Sequence, residues 1–138
     1  MLIHDFYLLE KAAKVAINIG NEMKKVLIVD DSPVDSKNLQ RILQDAGCIV
    51  SVAMSGTEAL IKVKTDKPEL IMMDVNMPDL DGFATKRKIN QDAESKGIPV
   101  VFVTSKDQKV DRVFAQMLGA KGYVTKPYSA EQILEQLN

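Results

Sequence analysis

Acidic residues follow directly after two short apolar runs of this sequence. Residues 26–29 lead into Asp30 and Asp31, and residues 70–73 lead into Asp74. If both runs are strands of one parallel sheet, these carboxylates meet at its carboxyl edge, where open α/β sheets bind their ligands. Carboxylates that lie close together repel one another unless a cation offsets their charge. The pattern therefore predicts a cation site at one edge of a sheet.

A hard divalent cation such as Mg²⁺ suits this set of oxygen ligands, because it is commonly held by one or two carboxylates and keeps several waters. Asp31 and Asp74 can supply the carboxylates, with Asp30 acting through water and a backbone carbonyl near Asn76 completing the site. Taken alone, the run of Asp30, Asp31 and Ser32 is also typical of a helix start. The second acidic strand end, at Asp74, favours the metal.

Asp74 is the candidate nucleophile of the site, since a carboxylate can attack an activated phosphoryl group and form an aspartyl phosphate. Such a transfer depends on positioning and on neutralisation of charge. Thr104 and Lys126 end two further apolar runs and can bring a hydroxyl and an ammonium to the same edge. Each would be unremarkable alone, but their place beside the acids favours a functional role. Tyr123, near the start of the last run, is explained equally well by packing.

Composition limits the classes of function that are open to the chain. Its 138 residues fit one domain, and 46% hydrophobic residues suffice for a core. A formal net charge of −1 provides no general attraction to nucleic acid, so direct DNA binding is not expected. Cys48 is the sole cysteine, which excludes an internal disulfide and indicates the cytoplasm. No apolar run approaches the roughly 18 residues of a membrane span, so no membrane association is expected.

From Lys24 onward, short aliphatic runs alternate with segments whose apolar residues stand at helical spacing. This alternation predicts a parallel sheet with crossover helices. The predicted strands cover residues 24–30, 48–54, 69–74, 99–104 and 122–126. Ser55 and Ser129 are the expected N-caps of two helices, and Gly47 and Gly119 the expected C-caps of two others.

The segment over residues 106–118 carries the clearest apolar stripe of the predicted helices. Its members stand at i, i+3, i+4, i+7 and i+8, and are Val110, Val113, Phe114, Met117 and Leu118. A stripe with this spacing predicts the face of a helix that packs on the core.

Residues 1–22 lie outside the alternation, so the chain divides into an N-terminal extension and a domain over residues 23–138. The extension has apolar residues at alternating spacings of four and three, which predict a helix ending near Gly20. They are Leu2, Phe6, Leu9, Ala13 and Ala16. One interpretation is a leader with no role in the domain, since Met23 would itself be a natural start. The other is a helix that docks on a partner or mediates self-association.

The stretch from Lys24 to Asn138 resembles the receiver domain of two-component response regulators, such as the chemotaxis regulators. The resemblance rests on Asp30-Asp31, Asp74 with Met77-Pro78 and Asp81-Gly82, Thr104, and Tyr123 with Lys126-Pro127. It implies an α/β fold, a doubly wound (βα)5 flavodoxin-like sandwich whose parallel five-stranded sheet has the order 2-1-3-4-5. It also implies Mg²⁺ at Asp30, Asp31 and Asp74, and phosphoryl transfer to Asp74 from a phosphohistidine of a sensor histidine kinase.

The resemblance further implies a switch. In that family the threonine at the position of Thr104 turns toward the phosphoryl group, and the aromatic at the position of Tyr123 swings inward behind it. The face formed by the fourth helix, fifth strand and fifth helix changes accordingly and becomes the expected surface for a downstream target protein. Such a change is a population shift between two existing states. The chain would then be no enzyme beyond catalysing its own phosphorylation and dephosphorylation.

Within the family, residues 103–108 and 119–127 resemble the single-domain regulators of type IV pilus twitching and phototactic motility. Two other classes stay open. A haloacid-dehalogenase-type phosphatase also uses a strand-end aspartate with Mg²⁺, but it needs a second acid two residues later, where this chain has Asn76. A receiver that is never phosphorylated would instead be a constitutive protein-binding module, against which the full set of site residues argues.

Overall fold

The computed structural model describes residues 24–138, and within them five strands alternate with five α-helices. The strands are β1 Lys25–Val29, β2 Ile49–Ala53, β3 Leu70–Met73, β4 Val100–Thr104 and β5 Gly122–Thr125. The helices are α1 Pro33–Asp45, α2 Gly56–Asp66, α3 Gly82–Gln91, α4 Lys109–Met117 and α5 Ala130–Leu134, and a 3₁₀ turn, Glu135–Leu137, follows α5. The helix predicted over residues 1–22 lies outside the described residues.

The five strands form one parallel sheet of order β2-β1-β3-β4-β5. The register aligns Val29 at the end of β1 with Ala53 of β2 and Met73 of β3. At the other side of the sheet, Thr104 at the end of β4 pairs with Thr125 of β5. The predicted flavodoxin-like (βα)5 fold and its strand order are confirmed. All polar segments that follow these strands therefore leave the same edge of the sheet.

Helices cover both faces of the sheet, so the inner strands β1, β3 and β4 are buried on both sides. α1 and α5 cover one face, where the core contains Val26, Ile28, Leu39, Leu43, Leu70, Met72, Val101, Val103 and Ile133. α2, α3 and α4 cover the other, where it contains Leu27, Val29, Ala59, Val63, Ile71, Met73, Ile89, Phe102 and Ala115. Neighbouring residues of one strand alternate between the two cores, as the pleat requires.

The predicted helix ends are confirmed. The hydroxyl of Ser55 accepts a hydrogen bond from the third residue of α2, and that of Ser129 does the same in α5, where a full capping box forms. Gly47 and Gly119 follow α1 and α4 with φ of 92° and 78°, a left-handed conformation that favours glycine. Ser55 and Ser129 follow β2 and β5, so they fix where α2 and α5 begin at the edge where the polar segments gather.

The apolar stripe predicted as the core face of α4 is wrong for three of its members. Val110, Val113 and Met117 are 63%, 43% and 76% exposed. Ala115 is the buried residue of the helix, while Phe114 is half-buried with its ring centroid 4.9 Å from that of Phe83. Because each residue turns a helix by about 100°, the inward face lies roughly a quarter turn from the stripe. α4 therefore presents an apolar strip at the surface.

β2 is an edge strand of the sheet that the described residues form. Ile49 is exposed and the next three residues are half-buried, whereas Ala53 is buried. The ammonium of Lys62, on α2, donates a hydrogen bond to the backbone carbonyl of Val52 in this strand. Within residues 24–138, no helix is long and apolar enough to span a membrane.

Candidate active site

Four of the predicted site residues lie at the carboxyl edge of the sheet. Asp30 follows β1, Asp74 follows β3, Thr104 ends β4 and Lys126 follows β5. Asp30, Asp74 and Thr104 are buried, although all three are polar. Lys126 is attached to the end of β4 as well, since its backbone N–H donates to the carbonyl of Thr104 at 2.9 Å. The parallel sheet thus brings together residues that are far apart in sequence.

The ammonium of Lys126 is the centre of the cluster. Its Nζ lies 2.9 Å from Oδ2 of Asp30, 2.9 Å from Oδ2 of Asp74 and 2.8 Å from Oδ2 of Asp35. An ammonium has three N–H donors, so each carboxylate takes one of them. Three carboxylates around one ammonium leave the cluster with an excess of negative charge, which a further cation would offset.

Burial and direct hydrogen bonds shift the pKa values of Asp30 and Lys126. Burial raises the pKa of Asp30, and its hydrogen bonds from Lys126 and from the backbone N–H of Ser32 oppose that rise. Burial also disfavours the charge of Lys126, but the bonds to Asp30, Asp35 and Asp74 outweigh it and raise the pKa of the ammonium above its usual value. Lys126 is therefore positively charged across the neutral range.

The carboxylates fit a divalent cation by their chemistry. Oxygens of Asp30 and Asp74 already converge on one positive centre, the ammonium of Lys126. Within the described part of the chain, however, no group of three or more His, Cys, Asp or Glu side chains is arranged to hold a metal ion by itself. Mg²⁺ does not need such a group, because waters complete its coordination. Asp31 is exposed beside Asp30, and the backbone N–H of Asn76 donates to Oδ1 of Asp74 at 3.1 Å.

Close packing of α3 fixes the backbone that carries Asp74. The N–H of Asp74 donates to the carbonyl of Val29 at 2.9 Å, and the N–H of Gly82 donates to the carbonyl of Val75 at 2.9 Å. Gly82 opens α3 directly against this turn, so that a Cβ at its position would lie 2.2 Å from the carbonyl oxygen of Asp74. Asp81 caps the same helix by accepting from the N–H of Ala84 at 2.8 Å. Only glycine leaves room for this approach.

Thr104 and Tyr123 bind the same residue of the loop between β4 and α4. The hydroxyl of Thr104 accepts from the backbone N–H of Lys106 at 3.3 Å, and the hydroxyl of Tyr123 donates to the carbonyl of Lys106 at 2.8 Å. The Tyr123 ring also lies 6.3 Å, centroid to centroid, from the buried ring of Phe102. Lys106 thus connects the buried threonine to the half-buried tyrosine.

Arg112 of α4 holds the outer side of this tyrosine. Its guanidinium carbon lies 4.9 Å from the centroid of the Tyr123 ring, close enough for a cation–π contact. The same guanidinium donates to Asp107 at 2.8 Å and to Thr125 at 2.7 Å. Burial, with the charge of Asp111 adding to it, raises the pKa of Tyr123 to about 12. The phenol is therefore protonated at neutral pH and acts as a hydrogen-bond donor.

Sequence reasoning brought together Asp30, Asp74, Thr104 and Lys126 but missed Asp35 and Arg112. A signal for Asp35 exists, because it stands three residues after the cap Ser32, where an acid is common in the first turn of a helix. That position alone does not reveal a bond to a lysine 91 residues later in the chain. No sequence signal pairs Arg112 with Tyr123.

Comparison with known proteins gives consistent matches. The family model described as "Response regulator receiver domain" matches residues 26–138. The chain is 40% identical to Protein PilH of Pseudomonas aeruginosa over 116 residues, which cover 84% of this chain and 96% of the relative. It is 36% identical to Protein PilG of the same organism over 110 residues, which cover 80% of this chain and 82% of the relative.

Solved structures agree with these relatives. The Vibrio cholerae chemotaxis protein CheY4 is 34% identical, with a TM-score of 0.78 over 83% of this chain and 96% of that one. A CheY-like response regulator receiver domain protein from Methanospirillum hungatei is 28% identical, with a TM-score of 0.77 over 84% and 91% of the two chains.

Proposed function

This chain belongs to the response regulator receiver domain family of two-component signalling, and from that premise we propose that it accepts a phosphoryl group on Asp74 from a sensor histidine kinase. The observation that carries the proposal is the buried carboxylate of Asp74, which shares the Lys126 ammonium with Asp30 at the carboxyl edge of the sheet. A buried carboxylate with a fixed cation beside it is suited to receive a charged group.

The proposed transfer forms a bond between a carboxylate oxygen of Asp74 and phosphorus while the phosphorus–nitrogen bond of the kinase phosphohistidine breaks. The imidazole leaves with the bonding electrons. Mg²⁺ held by Asp30, Asp31, Asp74 and the backbone carbonyl of Asn76 would neutralise charge on the phosphoryl oxygens. The protein's own contribution is to hold the nucleophile still, which the hydrogen bonds of Asp74 to Asn76 and Lys126 support.

Lys126 and Thr104 have separate proposed roles in the phosphorylated state. The ammonium of Lys126 is already within 2.9 Å of the attacking carboxylate, so it can bond to a phosphoryl oxygen after a small movement. The buried hydroxyl of Thr104, at the end of the adjacent strand, is the neutral donor. To reach the phosphoryl group it would release the N–H of Lys106, the residue whose carbonyl accepts the hydroxyl of Tyr123.

That shared residue supports a switch from the site to the surface. A movement of Thr104 alters the β4–α4 loop, and the bond of Tyr123 to Lys106 transmits the change to α4 and β5. The apolar strip of α4, with Val110, Val113 and Met117 exposed, belongs to the proposed face of α4, β5 and α5 that binds a downstream target protein.

We assign the chain no reaction beyond its own phosphorylation and dephosphorylation, and neither DNA nor a membrane as a direct partner. The proposed setting is cytoplasmic signalling in motility or taxis, since the chain is similar both to CheY4, a chemotaxis protein, and to PilH and PilG. For residues 1–22 we propose self-association, which gel filtration of the chain with and without that segment would test.

Intact-mass spectrometry after incubation with Mg²⁺ and acetyl phosphate tests the phosphoacceptor. The native chain should gain the mass of one phosphoryl group, and Asp74→Asn should gain none. Asp79→Asn is the matched control, because Asp79 is exposed in the same loop and its φ of 65° suits asparagine. Labelling of Asp74→Asn at the native rate would refute Asp74 as acceptor. A folded native chain that binds Mg²⁺ but is never labelled would favour the constitutive protein-binding module.

A further inference from the structure

We propose that Asp35 is a positioning residue for Lys126, which retains the ammonium at the site when a divalent cation takes up Asp30 and Asp74. This inference rests on the proposed function, and it names a residue beyond the set from which that function was argued. Asp35 touches no reacting atom. It acts through Lys126, whose Nζ lies 2.8 Å from Oδ2 of Asp35.

The starting point is that Lys126 has no donor to spare. Its three N–H groups are taken by Asp30, Asp35 and Asp74. Lys126 bonds to Oδ2 of Asp30 and of Asp74, while Oδ1 of each accepts a backbone N–H, from Ser32 and Asn76 respectively. A cation that binds both carboxylates therefore competes with the ammonium, and in our proposal Lys126 gives up two of its three bonds. Asp35 is the partner that remains, and its side chain is 44% exposed, whereas those of Asp30 and Asp74 are buried. The ammonium can therefore move outward without leaving its last carboxylate.

The carboxylate of Asp35 is available to Lys126 because it does not accept the N–H of the N-cap residue of its own helix. It is the third residue of α1, a position whose side chain can accept the backbone N–H of the N-cap residue. Asp111 accepts that bond in α4 at 3.2 Å, and Gln132 accepts it in α5 at 2.8 Å. In α1 the N–H of the cap Ser32 donates to Oδ1 of Asp30 at 2.9 Å instead.

The same short turn therefore places both acids. One oxygen of Asp30 holds the N–H of Ser32, and the hydroxyl of Ser32 accepts the N–H of Asp35 at 3.2 Å. Asp35 is thereby fixed one turn along α1 while its carboxylate reaches Lys126. Because Asp30 accepts the N–H of Ser32, the carboxylate of Asp35 is left to pair with Lys126.

Loss of the Asp35 carboxylate should weaken the binding of Mg²⁺. Without the cation, loss of Asp35 leaves Lys126 with two carboxylates. With the cation bound, the same loss leaves it with none, so the cation-bound state is weakened more. Asp35→Asn should therefore reduce affinity for Mg²⁺, by about three- to fivefold for a partly exposed ion pair.

A double-mutant cycle separates this role from a simple loss of negative charge. The dissociation constant for Mg²⁺ is measured by calorimetric titration for the native chain, Asp35→Asn, Lys126→Ala and the double variant. Lys126→Ala should bind Mg²⁺ more tightly than the native chain because the competing ammonium is gone. In that background, Asp35→Asn should have less than half of its effect in the native chain. Asp45→Asn, an exposed charge change at the far end of α1, should match the native chain.

An equal effect of Asp35→Asn in both backgrounds would overturn the proposal, since Asp35 would then act only as a distant charge. So would a native-like dissociation constant for Asp35→Asn, or a native chain that binds no Mg²⁺. Phosphoryl labelling is scored separately on the same proteins. A native chain that binds Mg²⁺ but is never labelled contradicts the proposed function and leaves the result for Asp35 to be decided by the cycle.

Discussion

The close approach of α3 to Asp74 can be tested with a single methyl group. Gly82→Ala would place a Cβ 2.2 Å from the carbonyl oxygen of Asp74 and 2.9 Å from Cα of Val75. Ordinary contact begins near 3.4 Å, so the helix or the turn must move by about 1.2 Å. Both neighbours are backbone atoms, and no flexible side chain can give way. The strain must therefore shift either α3 or the segment that carries the acceptor.

The cost can be estimated from these distances. An extra methyl group in a packed contact costs about 1–3 kcal/mol, and we expect the upper part of that range, about 2–3 kcal/mol, where both neighbours are backbone atoms. Alanine's better helix propensity offsets about 1 kcal/mol of that. The net free energy of unfolding should fall by about 1–2 kcal/mol, which moves a urea midpoint by roughly 0.5–1 M for a domain of this size. A displacement near 1 Å at a reacting group can also cost about 100-fold in rate, so labelling by acetyl phosphate should slow by at least about tenfold.

Gly97→Ala is the matched control, because no atom of residues 24–138 lies within 4 Å of the Cβ that it would add. Its midpoint and its labelling rate should equal those of the native chain within error. A Gly82→Ala protein with a native midpoint and a native labelling rate would refute the reasoning. A lower midpoint with a native labelling rate would show that α3 moves and Asp74 does not.

Three further expectations follow from the site. Because the pKa of Tyr123 is raised to about 12 from 10.0, the folded chain holds that proton more tightly than the unfolded chain. The free energy of unfolding should therefore fall between about pH 10 and 12, and a urea series should show a smaller fall for Tyr123→Phe. Arg112→Gln should lower the melting temperature more than Arg87→Gln, since Arg87 lies farther from its ring, at 5.8 Å from Phe114; equal losses in calorimetry would contradict the cation–π contact. Mg²⁺ at about 100 times its dissociation constant should add roughly 2.7 kcal/mol to the free energy of unfolding, and chelation should reverse the gain. If Mg²⁺ leaves the free energy of unfolding of the native chain unchanged, the proposed cation site is wrong.

The carboxyl edge of the sheet was predictable because it depends on topology more than on detail. Once five apolar runs are assigned to one parallel sheet, residues after each run must meet at one edge. Asp30, Asp74 and Lys126 meet there for that reason, despite a separation of 96 residues between the first and the last. The helix caps were predictable too, because each depends on residues only three or four apart.

The orientation of α4 was not predictable from its apolar spacing. Periodicity reveals that Val110, Val113 and Met117 share a face, but it does not reveal which neighbour that face meets. The sheet receives Ala115 instead, a small residue that permits close approach, and leaves the bulkier side chains exposed. A surface that binds partners needs apolar residues as a core does, so the two have the same sequence pattern. The bond from Asp35 to Lys126 was hidden for a similar reason, since it depends on how α1 is turned.

Lys62, which covers part of the edge strand β2, affects which partners can bind the protein at that edge. An edge strand offers its backbone carbonyls to any extended peptide, and strand addition is a common route both to partner binding and to aggregation. Lys62 occupies the carbonyl of Val52 and places a charge beside the strand. An incoming strand would have to displace that ammonium and bury or expel its charge. At this edge, recognition by helices and loops is correspondingly favoured, and edge-to-edge stacking through β2 is disfavoured.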